Sequence, residues 1–151
     1  MNQAGENPSG WRINTVSEDV IFIVGYGEWK EQDARGFCGE YRSVVESFGG
    51  KPWAVVGDAT EWGFNDAGVQ SLLRDHDRWI VANGCRAACF YTGAGALNRL
   101  MLYRLAEPDS DKYRFRVYPH RAKAVEALEA GGFSVTDKQL GSFFRGEGTR
   151  I

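Results

Sequence analysis

The spacing of apolar and polar residues changes character several times along the chain, and each change predicts an element. Trp11-Arg12-Ile13-Asn14 alternates, the pattern of a half-exposed edge strand. Val20-Ile21-Phe22-Ile23-Val24 is continuously β-branched or aromatic, as a strand buried on both faces must be. Phe37, Tyr41, Val44, Val45 and Phe48 recur at helical spacing, and Gly49-Gly50 ends that helix. Asp33 is the expected cap. Trp53-Ala54-Val55-Val56 is a second fully apolar strand, followed by a polar and aromatic loop, Asp58 to Phe64. The next helix begins near Asn65-Asp66 and carries Val69, Leu72, Leu73, His76 and Ile80 on one stripe. Arg86 to Thr92 predicts a strand, and Gly93-Ala94-Gly95 leads into a helix with Leu97, Leu100, Met101 and Leu105 inward. Tyr113 to Val117 alternates again, Pro119 breaks it, and a last helix runs from Arg121 to Ala130 with Val125 and Leu128 inward.

The predicted order is β-β-α-β-α-β-α-β-α. Strands separated by helices imply right-handed crossovers and an α/β fold. The expected sheet has five strands, mostly parallel, with the first antiparallel at an edge. Residues 1–10, rich in Gly, Pro, Asn and Ser, read as a flexible tail; residues 11–135 as one domain; residues 136–151 as a mostly polar C-terminal tail that holds Leu140, Phe143 and Phe144.

Composition alters this picture little. The 151 residues are 43% hydrophobic and 25% charged, ordinary for a globular domain with a sizeable core. No apolar run approaches the roughly 20 residues of a membrane helix, and the first ten residues are not a leader peptide, so a cytoplasmic location is expected. The three cysteines, Cys38, Cys85 and Cys89, follow no disulfide or zinc spacing and read as free thiols. Net charge is −2, which points away from nucleic acid. It is uneven, however: residues 1–75 hold 6 Lys/Arg against 12 Asp/Glu, and residues 76–151 hold 12 against 8.

Candidate chemistry gathers at the end of the Trp53 strand, because ligands of α/β sheets sit at the carboxyl ends of strands. Asp58 and Glu61 offer a carboxylate pair with Thr60 between them; equally, Asp58 and Thr60 are residues that hydrogen-bond turn backbone. Trp29, Trp62 and Phe64 stand at neighbouring strand ends and suit a pocket or an interface. His76 reads first as a buried, hydrogen-bonded packing residue and second as a catalyst. Gly93-Ala94-Gly95-Ala96-Leu97-Asn98 misses the third glycine of a dinucleotide turn, and neither a P-loop nor a nucleophile elbow occurs. No cofactor or metal is expected.

Three stretches carry a family resemblance: Asp19-Val20-Ile21-Phe22-Ile23 before Gly27-Glu28-Trp29, then Trp53 to Asp58, then Asn65-Asp66-Ala67-Gly68-Val69. With the order of elements, they resemble the SpoIIAA-like fold of STAS domains and of lipid-binding CRAL-TRIO domains, over about residues 11–135. The resemblance implies a non-enzymatic binding or regulatory domain acting through the Asp58 to Gly68 region. In anti-anti-sigma members the second helix opens Asp-Ser-Ser-Gly, and a partner kinase phosphorylates the second serine. Asp66 and Ala67 stand at those two serine positions, so the geometry carries over without the phosphoacceptor. A homodimer is expected too, because family helices lie mainly on one face and the strands here are apolar on both. The alternatives are a carrier of a small apolar ligand or lipid, and an enzyme using Asp58, Glu61 or His76.

Overall fold

The computed structural model describes residues 8–92 and 96–135. The expected tails and the Gly93-Ala94-Gly95 turn lie outside the described residues, apart from Pro8, Ser9 and Gly10 of the N-terminal stretch. Nine elements follow in the expected order: β1 Gly10–Thr15, β2 Val20–Gly27, α1 Glu31–Glu46, β3 Trp53–Trp62, α2 Ala67–Ala82, β4 Cys85–Tyr91, α3 Ala96–Leu105, β5 Arg114–Tyr118 and α4 Arg121–Ala130. The five strands form one sheet in the order β1-β2-β3-β4-β5. β1 pairs antiparallel with β2 through Ile13 opposite Ile23, and the remaining pairs are parallel.

A parallel sheet that advances one strand at a time by crossovers of one hand keeps its crossover helices on one face. Side-chain alternation then sorts the core into two clusters. Ile21, Ile23, Val55, Ala88, Phe115 and Val117 pack under α1, α2 and α3. Val20, Phe22, Ala54, Val56, Cys89 and Tyr91 point the other way, into a cluster with Ala124 and Leu128 of α4 and with Val135. α4 therefore covers the face that the sequence reading left for a second subunit. The cover extends over β3, β4 and β5, which weakens that motive for a dimer.

Four local expectations change. β2 continues past the Val20–Val24 run through Gly25 to Gly27, because Trp11 pairs with Gly25 and Trp62 with Gly27. β3 likewise extends to Trp62, so Asp58, Thr60, Glu61 and Trp62 are strand residues rather than loop. Lys30, not Asp33, caps α1; Asp33 sits three residues in, and its carboxylate accepts from the Lys30 N–H at 2.9 Å. In α3, Leu97 and Leu100 are 79% and 63% exposed, while Leu102 and Leu105 are buried. The Gly49-Gly50 stop holds, with φ of +62° and +86°.

Candidate functional site

The helical layer does not close fully on the sheet. Between α1, α2, α3 and strands β2 to β5 lies a cavity of about 70 Å³. Its position follows from the strand ends. Trp29, just past β2, and Trp62, at the end of β3, meet edge to face with centroids 5.5 Å apart. Phe37 of α1 lies 5.0 Å from Trp29, and the His76 ring of α2 lies 5.5 Å from Phe37 and 4.5 Å from Tyr41. Phe90 of β4 also lines the space, and glycine at position 57 makes room for it: a Cβ there would clash with the Phe90 ring. Most of the lining is aromatic or aliphatic.

The polar atoms of that lining are unusual in lacking partners. Tyr41 Oη, Tyr113 Oη, Trp62 Nε1 and both ring nitrogens of His76 are buried with no hydrogen bond among the described residues. All four residues line the cavity. Buried polar groups in native proteins are nearly always paired, with protein or with ordered water, so four lining residues that each carry an unpaired one call for an explanation. By contrast, Trp29 Nε1 is satisfied, donating to the Gly10 carbonyl at 3.0 Å.

Burial sets the charge of this site. It pushes the imidazole of His76 down to about 3, helped by the nearby Arg42 charge. It pushes the Asp77 carboxyl up to about 8, helped by Glu107, against a backbone hydrogen bond from Glu107. The hydroxyls of Tyr41 and Tyr113 are raised, again mainly by burial. All four shifts favour the uncharged form of the group.

The sequence-selected residues divide. Trp29, Asp58, Trp62 and His76 come together on the cavity. Asp58 Oδ1 is occupied by Thr60, accepting from its N–H at 2.9 Å and its Oγ1 at 2.7 Å, as the turn-type reading expected. Thr60 and Glu61 are exposed, and Phe64 is 67% exposed. His76 is buried, but it lacks the hydrogen bond that a packing histidine was expected to have. Nor does Asp58 bond it; of the three residues named for an enzyme, Asp58 and His76 share the cavity and Glu61 does not line it. Asp66 caps α2, accepting from the Val69 N–H at 3.0 Å, and Ala67 is the exposed first residue of that helix. The Glu31 carboxylate lies against Gly68, so the α2 N-terminus already faces two acidic side chains.

Three cavity residues escaped the sequence reading. Tyr41 appeared as part of an apolar stripe and Tyr113 as the start of a strand, and Asp77 was not singled out. A tyrosine on a core-facing stripe brings a hydroxyl that needs a partner, and that was the available signal.

Against known proteins, no family model and no curated protein matches the chain. Among the solved structures that resemble it is an uncharacterised protein of the DUF3478 family from Shewanella loihica PV-4, described as having a SpoIIAA-like fold. The TM-score is 0.64 at 12% identity, over 82% of this chain and 98% of that one. The chain has a SpoIIAA-like fold. The likeness extends to architecture alone, so the cavity is read from its own residues. No helix among the described residues is long and apolar enough to cross a membrane.

Proposed function

We propose that this SpoIIAA-like chain is a non-enzymatic binding domain whose site is the cavity between α1–α3 and the sheet, and that its ligand is a small, mainly apolar molecule. One observation carries the reading: four side chains with unpaired buried polar atoms line a single, otherwise mainly apolar space. Ligand pockets combine an apolar wall with a few placed polar groups. Cavities lined only by hydrocarbon stay dry and need no occupant. Catalysis is disfavoured because His76 lacks a carboxylate partner and Glu61 is exposed. Native mass spectrometry of protein taken directly from cells tests the reading. The expected result is an added small mass that is lost when Trp62→Ala opens the wall. A clean apo mass, with no thermal shift in a fragment screen, would overturn it.

A second reading, a regulatory domain that docks protein partners or a second copy, draws on a different observation. Phe64, Leu97, Leu100 and Tyr103 are large, apolar or aromatic, and exposed. The loop and α3 that carry them are tied together, because Asn98 Nδ2 donates to the carbonyls of Ala59 and Trp62 at 3.0 and 2.9 Å. With Ala67 at the phosphoacceptor position, such docking would not be switched by phosphorylation there. Light scattering at high micromolar concentration tests self-association; a dimer that dissociates with Leu97→Ser and Leu100→Ser supports it, and monomer throughout excludes the homodimer. The free thiols Cys38, Cys85 and Cys89 support a reducing, cytoplasmic setting for either reading.

A further inference from the structure

The chemistry of the unpaired atoms narrows the ligand class. A neutral imidazole presents one N–H donor and one bare acceptor nitrogen, an indole N–H only donates, and a phenol does either. His76, Trp62, Tyr41 and Tyr113 together therefore ask for an occupant that both accepts and donates. A molecule that only accepts leaves the bare imidazole nitrogen unpaired. One that only donates leaves the Trp62 N–H unpaired. Trp29, Phe37 and Phe90 line the same space and offer nothing for water to bond, which favours an organic molecule with an apolar end over a water cluster.

Size bounds it further. The cavity of about 70 Å³ is several times what one water needs and about half an engineered cavity that takes benzene, at about 150 Å³. By that comparison it accommodates roughly three non-hydrogen atoms as it stands, and a molecule of about five enters as the helical layer moves outward.

We propose that the cavity selects a small uncharged molecule bearing a group that both donates and accepts, such as a primary amide or an alcohol, with His76, Tyr41, Tyr113 and Trp62 holding its polar end. The inference rests on the cavity being the binding site. The uncharged forms favoured at His76, Asp77 and the two tyrosines support it, because an ion there would lose its water without gaining a counter-charge from these groups. Asp58 is the lining carboxylate that argues for a cation, although its Oδ1 is already held by Thr60. A charged comparison is therefore part of the test.

The experiment titrates the full-length protein at neutral pH with propionamide, propionate, propylammonium and xenon. It follows the His76 ring nitrogens by NMR. Propionamide is expected to shift both ring nitrogens saturably, while the two ions leave them unmoved. Tyr41→Phe and Tyr113→Phe are each expected to weaken propionamide about tenfold and to leave xenon binding intact, which also shows that the variants remain folded. If xenon binds and propionamide does not, or if either ion binds as well as the amide, the ligand class is wrong while the cavity reading stands. If the amide binds but neither tyrosine variant weakens it, the assignment of those residues falls. If none of the probes binds, the cavity holds only water and both inferences fail.

Discussion

A histidine kept neutral inside a protein leaves a mark on acid stability. An unfolded histidine takes its proton near 6.5, whereas His76 in the fold resists until about 3. Between those values the unfolded chain binds a proton that the native chain does not, so stability falls as pH drops through this window, by up to about 1.4 kcal/mol per pH unit. Urea unfolding of the parent and of His76→Leu from pH 7 to 4 should show the parent losing stability more steeply. Asp77 acts in the opposite sense. Its carboxyl ionises near 3.8 in the unfolded chain and near 8 in the fold, so its burial costs stability as pH rises from 3.8 towards 8. Asp77→Asn is expected to match the parent near pH 4 and to exceed it by roughly 1 kcal/mol or more at pH 8. Equal midpoints at pH 8 would mean that the carboxyl is not desolvated. These two neighbours on α2 illustrate what sequence spacing leaves open. Their helical register placed His76 on the apolar stripe, but register says nothing about whether a ring nitrogen finds a partner across the core.

The two elements that build the site were legible to different degrees. The start of α2 was read within a residue, because Asp66 is a local signal: its side chain reaches a backbone N–H three residues on, whatever the rest of the chain does. Removing it with Asp66→Ala is expected to cost about 0.5–2 kcal/mol, measured by thermal or urea unfolding. The end of β3 was misread. Asp58, Ala59 and Glu61 are poor strand formers, and pairing with β2, Tyr26 opposite Glu61 and Gly27 opposite Trp62, keeps the end of that segment extended. The extension matters to the site, since it carries Trp62 to the cavity wall beside Trp29. α3 shows the same limit from the other side. Leu97 and Leu100 fit an inward stripe by spacing, yet the helix rests on the sheet through Leu102 and Leu105.

At the scale of the molecule, the decisive placement is that of α4. It packs on the sheet face opposite α1, α2 and α3, with Ala124 and Leu128 fully buried against the second cluster. Leu128→Ala is therefore expected to destabilise the chain by about 2–5 kcal/mol, an amount usual for a buried leucine, readable as a lowered urea midpoint with unchanged slope. If the variant costs less than about 0.5 kcal/mol, α4 is not a cover for that face and the case for a second subunit returns.

The order of the nine elements, the parallel sheet with its antiparallel edge and the SpoIIAA-like fold were all written in the sequence. Strand and helix periods are local patterns, and connections of one hand leave few ways to assemble them. The absence of a serine at position 67 was equally plain from residue identity. What only the tertiary structure decided is where α4 lies, how far β3 runs, and that Tyr41, Trp62, His76 and Tyr113 share one space with their polar atoms unpaired. These four come from α1, β3, α2 and the approach to β5. Their convergence is a product of packing between layers, which no local pattern encodes.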